Sequence, residues 1–326
     1  MEYLTGLLID LAGVTGTWGF LAVSAVLSAL LCFVAIPWTT DLMVNNAAGL
    51  SGRFLGPSSR TLVINASTNN PEAFSMAIAF SMQRMGGWAN PLGSLLANVY
   101  LMYGIAFVLV IGRYFVTGQR DRCRDFIRLV VRERRLVLWH VVFSLATFGV
   151  GTLALWLMGA MHSEAVTPAT DHRMWLALGV LGVSIVVLLY FDRRLKQKRP
   201  NLFHEIDASS HSQSYVGLLA GTVGLIASCT VMNVLFLAWT QLYGETLSTV
   251  FGAAIFAALH YFIGALITSL PEMRVATGNY RRMTVPDLNT GLASASYSNL
   301  VNLALGFIGL VIFIILFKGF GILLPW

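Results

Sequence analysis

Apolar residues in this chain run in long stretches broken by short polar segments. They neither alternate nor recur on a single helical stripe. Stretches of about 20 apolar residues predict membrane-crossing helices. Eight spans are predicted, at roughly 17–49, 58–86, 91–112, 136–160, 173–192, 213–243, 248–280 and 289–317. Several exceed the minimum length, which predicts tilt or interruption. Two hydrophilic connections, 113–135 and 193–212, interrupt the pattern, and the tail from Lys318 to Trp326 is too short to span again. The opening Met1–Gly13 holds Glu2 and Asp10 without a basic residue, and does not read as a cleaved signal peptide.

Composition strengthens this picture. Of 326 residues, 56% are hydrophobic and 11% charged; soluble domains carry roughly twice that charged share. The predicted class is an all-α polytopic membrane protein whose main partner is the lipid bilayer. The net charge of +6 does not point to nucleic acid, because the basic residues sit between apolar spans rather than beside stacking aromatics. If 113–135 is cytoplasmic, then 50–57, 193–212 and 281–288 are too. These regions and their borders hold 18 of the 21 basic residues, leaving Arg84, Arg173 and Lys318. The positive-inside rule thus predicts cytoplasmic basic loops and both termini on the opposite side. The arginines of 113–135 read first as a topology signal on a short amphipathic surface helix, with docking of anionic lipid or a partner as the alternative. Cys32, Cys123 and Cys229 are scattered and read as free thiols.

The chemistry-bearing residues are acids inside the spans. Only Asp41, Glu72 and Glu272 lie well within apolar stretches. A mid-bilayer carboxylate costs at least ~2.5 kcal/mol, so such groups usually face a bundle interior or a water-filled path. Residues 68–72 read Thr-Asn-Asn-Pro-Glu and residues 268–272 read Thr-Ser-Leu-Pro-Glu. Each is followed by glycine (Gly86 and Gly87, or Gly278) and then by an apolar span opening with small and polar residues. Those residues are Asn90, Gly93, Ser94 and Asn98 in the first case. They are Gly291, Ser294, Ser296, Ser298 and Asn299 in the second. Glu72 precedes Asn98 by 26 residues and Glu272 precedes Asn299 by 27. This predicts a repeated two-helix unit whose copies, by the span count, run in opposite directions.

Proline at 71 and 271 lacks an N–H, so the helix should kink or break there and free the carbonyls of Ser67 and Ile267. Bare carbonyls at that depth must face protein, water or an ion. Thr68 and Glu72 share a helical face, as do Thr268 and Glu272. Two carboxylates, two hydroxyls and freed carbonyls form an all-oxygen set that suits a hard cation such as Ca²⁺. The plainer alternative is a pair of proline kinks whose acids bond neighbouring helices.

At these residues the chain resembles the calcium/cation antiporter superfamily, in the sodium/calcium-exchanger membrane region. The first copy runs from Asp41 through Thr68–Glu72 to Asn98, and the second from about Asn233 through Thr268–Glu272 to Asn299. The resemblance implies Glu72 and Glu272 as ligands shared by Ca²⁺ and the exchanged ion, with Thr68 and Thr268 adding oxygens. Asn69 and Ser269 stand at the family's serine positions. Ser94, Asn98 and Asn299 would complete the sites, and the carbonyls of Asn65 and Ala265 would bind Na⁺. It implies an inverted-repeat transporter with no prosthetic group, taking inorganic cations, in two halves: 1–192 (core 41–112) and 213–326 (core 233–317, shortened), joined by the linker 193–212. The family usually has ten spans. The sequence departs at Leu95 and Ala295, where the family has asparagine and serine. No glutamate of the family's proton-coupled kind follows the motif, which favours sodium coupling.

Other residues leave alternatives open. Arg274, about 200° around the helix from Glu272, should point away from the site and snorkel, or else face it as a tethered cation. Asp41 lines the path or pairs with Arg53 or another helix. His260 titrates in a proton-coupled cycle or is an ordinary packed histidine. No His/Asp cluster, GxSxG or HExxH motif suggests an enzyme. The expectation is a Ca²⁺/Na⁺ antiporter. A proton-coupled exchanger is its variant, and a non-transporting membrane sensor or assembly subunit is the reading from another class. The oligomeric state is open.

Overall fold

The computed structural model describes residues 2–56, 59–81, 86–159, 171–199, 203, 212–252 and 266–320. All regular elements among them are helices. Helix α1 (Glu2–Leu30) breaks at Gly16, whose φ of 67° only glycine adopts readily. A wide π turn, Leu31–Ala35, leads into α2 (Ile36–Phe54). That turn precedes Pro37, whose ring would clash with a carbonyl of a regular α turn. Then come α3 (Arg60–Thr68), α4 (Asn70–Ser81) and α5 (Gly86–Tyr100). A second π turn, Leu101–Ile105, joins α5 to α6 (Ala106–Val116). The short α7 (Arg120–Arg132) precedes α8 (Arg134–Leu157), α9 (Asp171–Lys198) and α10 (Tyr215–Phe251). The described chain ends with α11 (Leu270–Tyr280), α12 (Val285–Ile314) and a π turn at Ile315–Gly319.

Among the described residues, six helices are long and apolar enough to cross a membrane: Leu4–Phe54, Trp88–Val116, Arg134–Leu157, His172–Lys198, Tyr215–Thr246 and Val285–Gly319. Large apolar side chains such as Trp18, Phe33 and Val108 point outward from them. This fits an integral multi-pass membrane protein. The hydropathy pattern predicted eight spans, and the difference lies at the two proline motifs. The expected span 58–86 is divided into α3 and α4, of 9 and 12 residues. Of the expected span 248–280, residues 253–265 lie outside the described residues and α11 supplies 11. The helix also begins at Glu2, well before the predicted start near residue 17.

Helix α12 is the central post. Every residue from Asp287 to Leu300 is buried, which requires neighbours all round; α3, α5, α8, α9 and α11 supply them. Thr284 and Asp287 cap its start reciprocally: the Asp287 N–H donates to Thr284 Oγ1 at 3.2 Å and the Thr284 hydroxyl donates to Asp287 Oδ2. Two apolar layers surround the post. One gathers Leu92 and Leu95 of α5, Leu181 of α9 and Leu303 and Phe313 of α12. The other gathers Leu101, Phe126 of α7, Tyr280 of α11 and Leu288 and Leu292 of α12. Between them, α5 and α12 present the polar residues Asn98, Ser298 and Asn299, all buried.

The two long helices α2 and α10 pack against each other through glycines on α10. A Cβ at Gly221 would come within 2.5 Å of the Met43 backbone nitrogen, and one at Gly224 within 2.7 Å of Thr39. Small residues let membrane helices approach closely where no hydrophobic force drives them together. Asn46 clamps the same seam by accepting from the Ser214 N–H at 2.9 Å. Gly221→Val should therefore cost about 1–3 kcal/mol by overpacking and lower the thermal midpoint of the detergent-solubilised protein. Gly179→Ala, at a position with open space around it, should leave that midpoint unchanged.

Candidate functional site

Both Thr-x-x-Pro-Glu copies break their helix at the same place with the same geometry. Asn69 sits at φ −83°, ψ 8° and Ser269 at φ −95°, ψ 6°, each between a helix end and the next helix start. The new helices restart as Ala73 N–H donates to Asn69 O and Met273 N–H to Ser269 O. Each break places its glutamate in the first turn of the new helix. The proline two residues after the break tolerates its missing N–H there.

The breaks bring the two copies together. Glu72 is 2% exposed and Glu272 0%, within electrostatic reach of each other. The Thr68 hydroxyl, at the end of the first copy's leading helix, donates to the Asn65 carbonyl at 2.9 Å. Ser298 donates to Asn69 Oδ1 at 3.0 Å and reaches Glu272 Oε1 at 3.4 Å. Asn98 is a hub: it donates to Ser298 Oγ and Asn299 Oδ1, each at 3.1 Å, and accepts from Ser269 Oγ at 2.7 Å. Asn299 in turn donates to the Leu95 carbonyl at 3.0 Å. One network thus ties both breaks to both companion helices.

The site is oxygen-rich and under-satisfied. Beyond its own backbone amide, Glu72 has no hydrogen-bond partner for either carboxylate oxygen among the described residues. Glu272 Oε2 has none there either, nor has Asn65 Oδ1. Buried polar atoms are normally satisfied, and a buried charge without a counter-charge is far more costly than an unpaired amide. These oxygens are suited to an incoming cation or proton. Among the described residues no group of three or more His, Cys, Asp or Glu side chains gathers, so the charged part of the site is the carboxylate pair.

The remaining expected residues fall at different distances from this centre. Asn69, Ser269, Asn98 and Asn299 are in the network. Ser94 lies along α5 on the side of the first apolar layer, where it donates to the Pro91 carbonyl and accepts from Asn302. The Asn65 carbonyl already accepts from Thr68 and Asn69, at 2.9 and 2.7 Å. Thr268 ends the turn before the second break and is half-buried. Ala265 and His260 lie outside the described residues. Ser298 was visible in the sequence only as one of several small residues, yet it bridges Asn69 and Glu272. His140 of α8 carried no sequence signal beyond being a lone histidine in a span. It is buried and holds two turns of α12, with Nδ1 at 2.6 Å from Ser296 and Nε2 at 3.0 Å from Asn289.

Arg274 points away from the carboxylates. Its guanidinium donates bidentately to Asp41 of α2, Nε to Oδ1 at 3.1 Å and Nη2 to Oδ2 at 2.5 Å. That answers the open question about both residues: Asp41 pairs with another helix rather than with Arg53. No protein-family model, curated protein or solved structure matches this chain, so the site is read on its own geometry.

Asp41 and Arg274 are each partly exposed, so their coupling should be modest despite the bidentate fork. A double-mutant cycle with Asp41→Asn and Arg274→Gln, read by thermal unfolding, should give a coupling of about 1 kcal/mol. Strictly additive losses would show that the pair does not fasten α2 to α11.

Proposed function

We propose that the chain is a secondary antiporter that exchanges Ca²⁺, or a related divalent cation, for Na⁺ by alternating access around Glu72 and Glu272. One observation carries the reading. Two buried carboxylates, one from each Thr-x-x-Pro-Glu copy, lie among hydroxyl and carboxamide side chains with three of their four oxygens lacking a side-chain partner among the described residues. Their combined charge of −2 matches one divalent ion, which would leave no buried charge unpaired. Two Na⁺ could neutralise the same pair, so either substrate relieves the same electrostatic demand. A site served by one carboxylate set fits exchange, because the two cargoes compete for it.

The resemblance at the motifs supports the same conclusion. On this reading residues 1–192 and 213–326 are the two inverted halves, joined by the linker 193–212. The broken helices meet near the midplane, as in transporters built from inverted repeats. The apolar layers on either side of the network would act as alternate seals. The basic segments 113–135 and 193–212 would be cytoplasmic, with the termini opposite.

Purified protein in Na⁺-loaded proteoliposomes should take up ⁴⁵Ca²⁺ when diluted into Na⁺-free buffer. Glu272→Gln should slow uptake by about two orders of magnitude, as expected when one partner of a buried charge set is removed. Uptake driven by a pH gradient instead of Na⁺ would assign proton coupling. No uptake under either gradient contradicts an antiporter. Unchanged uptake by Glu272→Gln removes the proposed site.

A further inference from the structure

The short helix α7 joins the ends of two long apolar helices, α6 and α8, and so lies where both return to the same membrane face. Its sequence, RDRCRDFIRLVVR, divides into three faces. Phe126 and Leu129 point inward and are buried in the second apolar layer. Ile127 and Val131, one turn apart, stay 46% and 61% exposed. Beside them runs a stripe of arginines, Arg120, Arg124 and Arg128, spaced i, i+4, i+8. The two exposed aliphatics and the arginine stripe thus share one side of a helix that lies at the ends of membrane-length helices.

The acids on α7 do not neutralise it. Asp121 meets Arg124 at 3.8 Å and Asp125 meets Arg128 at 3.4 Å, and these pairs are mostly exposed. Such pairs hold weakly and yield to a stronger anion. From Arg113 to Arg135 the chain carries eight arginines against Asp121, Asp125 and Glu133, a surplus of five. A phosphodiester takes the arginine fork bidentately, while its acyl chain would lie on Ile127 and Val131.

We infer that α7 is a docking surface for the headgroups of anionic phospholipids in the surrounding bilayer, with Arg120, Arg124 and Arg128 on the phosphate and Ile127 and Val131 on the chain. The surface is wired to the candidate site. Phe126 packs on Phe107 and Tyr280, with ring centroids 5.4 and 6.0 Å away, and Phe107 lies 4.6 Å from Tyr280. Tyr280 ends α11, the helix that opens with Leu270, Pro271 and Glu272. Lipid held on α7 therefore braces the far end of the helix that carries Glu272. This inference does not depend on transport.

The test is hydrogen–deuterium exchange of the full chain in nanodiscs of phosphatidylcholine alone or with phosphatidylglycerol added. Phosphatidylglycerol should slow exchange across 120–132 and, through Phe126, across 276–281. Each arginine near an anionic surface contributes about fivefold to binding, so Arg120→Gln/Arg124→Gln/Arg128→Gln should weaken the lipid effect on the order of a hundredfold. Arg113, Arg122, Arg132, Arg134 and Arg135 stay in place to hold topology, and an unchanged melting midpoint checks the fold. Phe126→Ala should keep the lipid effect on α7 and lose it at 276–281. Equal exchange in the two nanodiscs overturns the inference. So does equal protection by soluble tripolyphosphate in phosphatidylcholine discs, which would mark a site for a free anion.

Discussion

The structure depends on a constraint that water normally hides: a carboxylate taken out of solvent needs a counter-charge or a proton. Glu72 and Glu272 are both buried, and they lie close enough to repel each other when ionised. Hydrogen bonds meet only part of the demand, since Ser298 reaches one oxygen of Glu272 while Glu72 has no side-chain donor among the described residues. The cost of two like charges in such a place exceeds what a few hydroxyls offset. The pair is therefore stable when a proton or a cation neutralises it, and that demand is the physical basis of the proposed exchange.

The rest of the fold holds this unfavourable arrangement in place. A proline two residues beyond each break restarts a helix with its glutamate in the first turn, at the positive end of the helix dipole. Asn98 uses both amide hydrogens and one acceptor position of its oxygen on crosslinking, which fixes Ser298, Asn299 and Ser269 relative to one another. His140 holds α12 from outside, two turns at once. Above and below, the layers around Leu95 and Leu303 and around Leu101 and Leu292 exclude water from the network. The close α2–α10 seam stands to one side, fastened to the site helix α11 by the Asp41–Arg274 pair.

The helical membrane class was legible in the sequence because hydropathy is local, and the six long helices follow the apolar runs. The motif residues were legible because a proline–glutamate pair inside an apolar run is costly unless used. Their doubling told where the chain would break. Hydropathy averaged over a span-length window could not tell a broken helix from a whole one, since the short polar run Ser67–Glu72 is flanked by apolar residues on both sides, and so it counted α3 and α4 as one span. Partners distant in sequence were beyond reach for the same reason. Nothing near Asp41 announces Arg274, 233 residues away. Nothing near Asn69 announces Ser298, 229 residues away. The placement of Arg274 away from Glu272, by contrast, followed from helical geometry alone.

The central claim is that the Glu72–Glu272 pair is held for a cation. The most direct measurement is the thermal midpoint of the purified protein with and without Ca²⁺, beside Glu72→Gln and Glu272→Gln. Binding to the folded state alone stabilises by about 2.7 kcal/mol at a hundredfold excess over Kd, so the wild-type midpoint should rise by several degrees with Ca²⁺. Each variant should be more heat-stable than wild type without the ion, because a buried charge is gone, and should not respond to Ca²⁺. A wild-type midpoint that ignores Ca²⁺ and Na⁺ alike, with variants no more stable than the parent, would contradict the account.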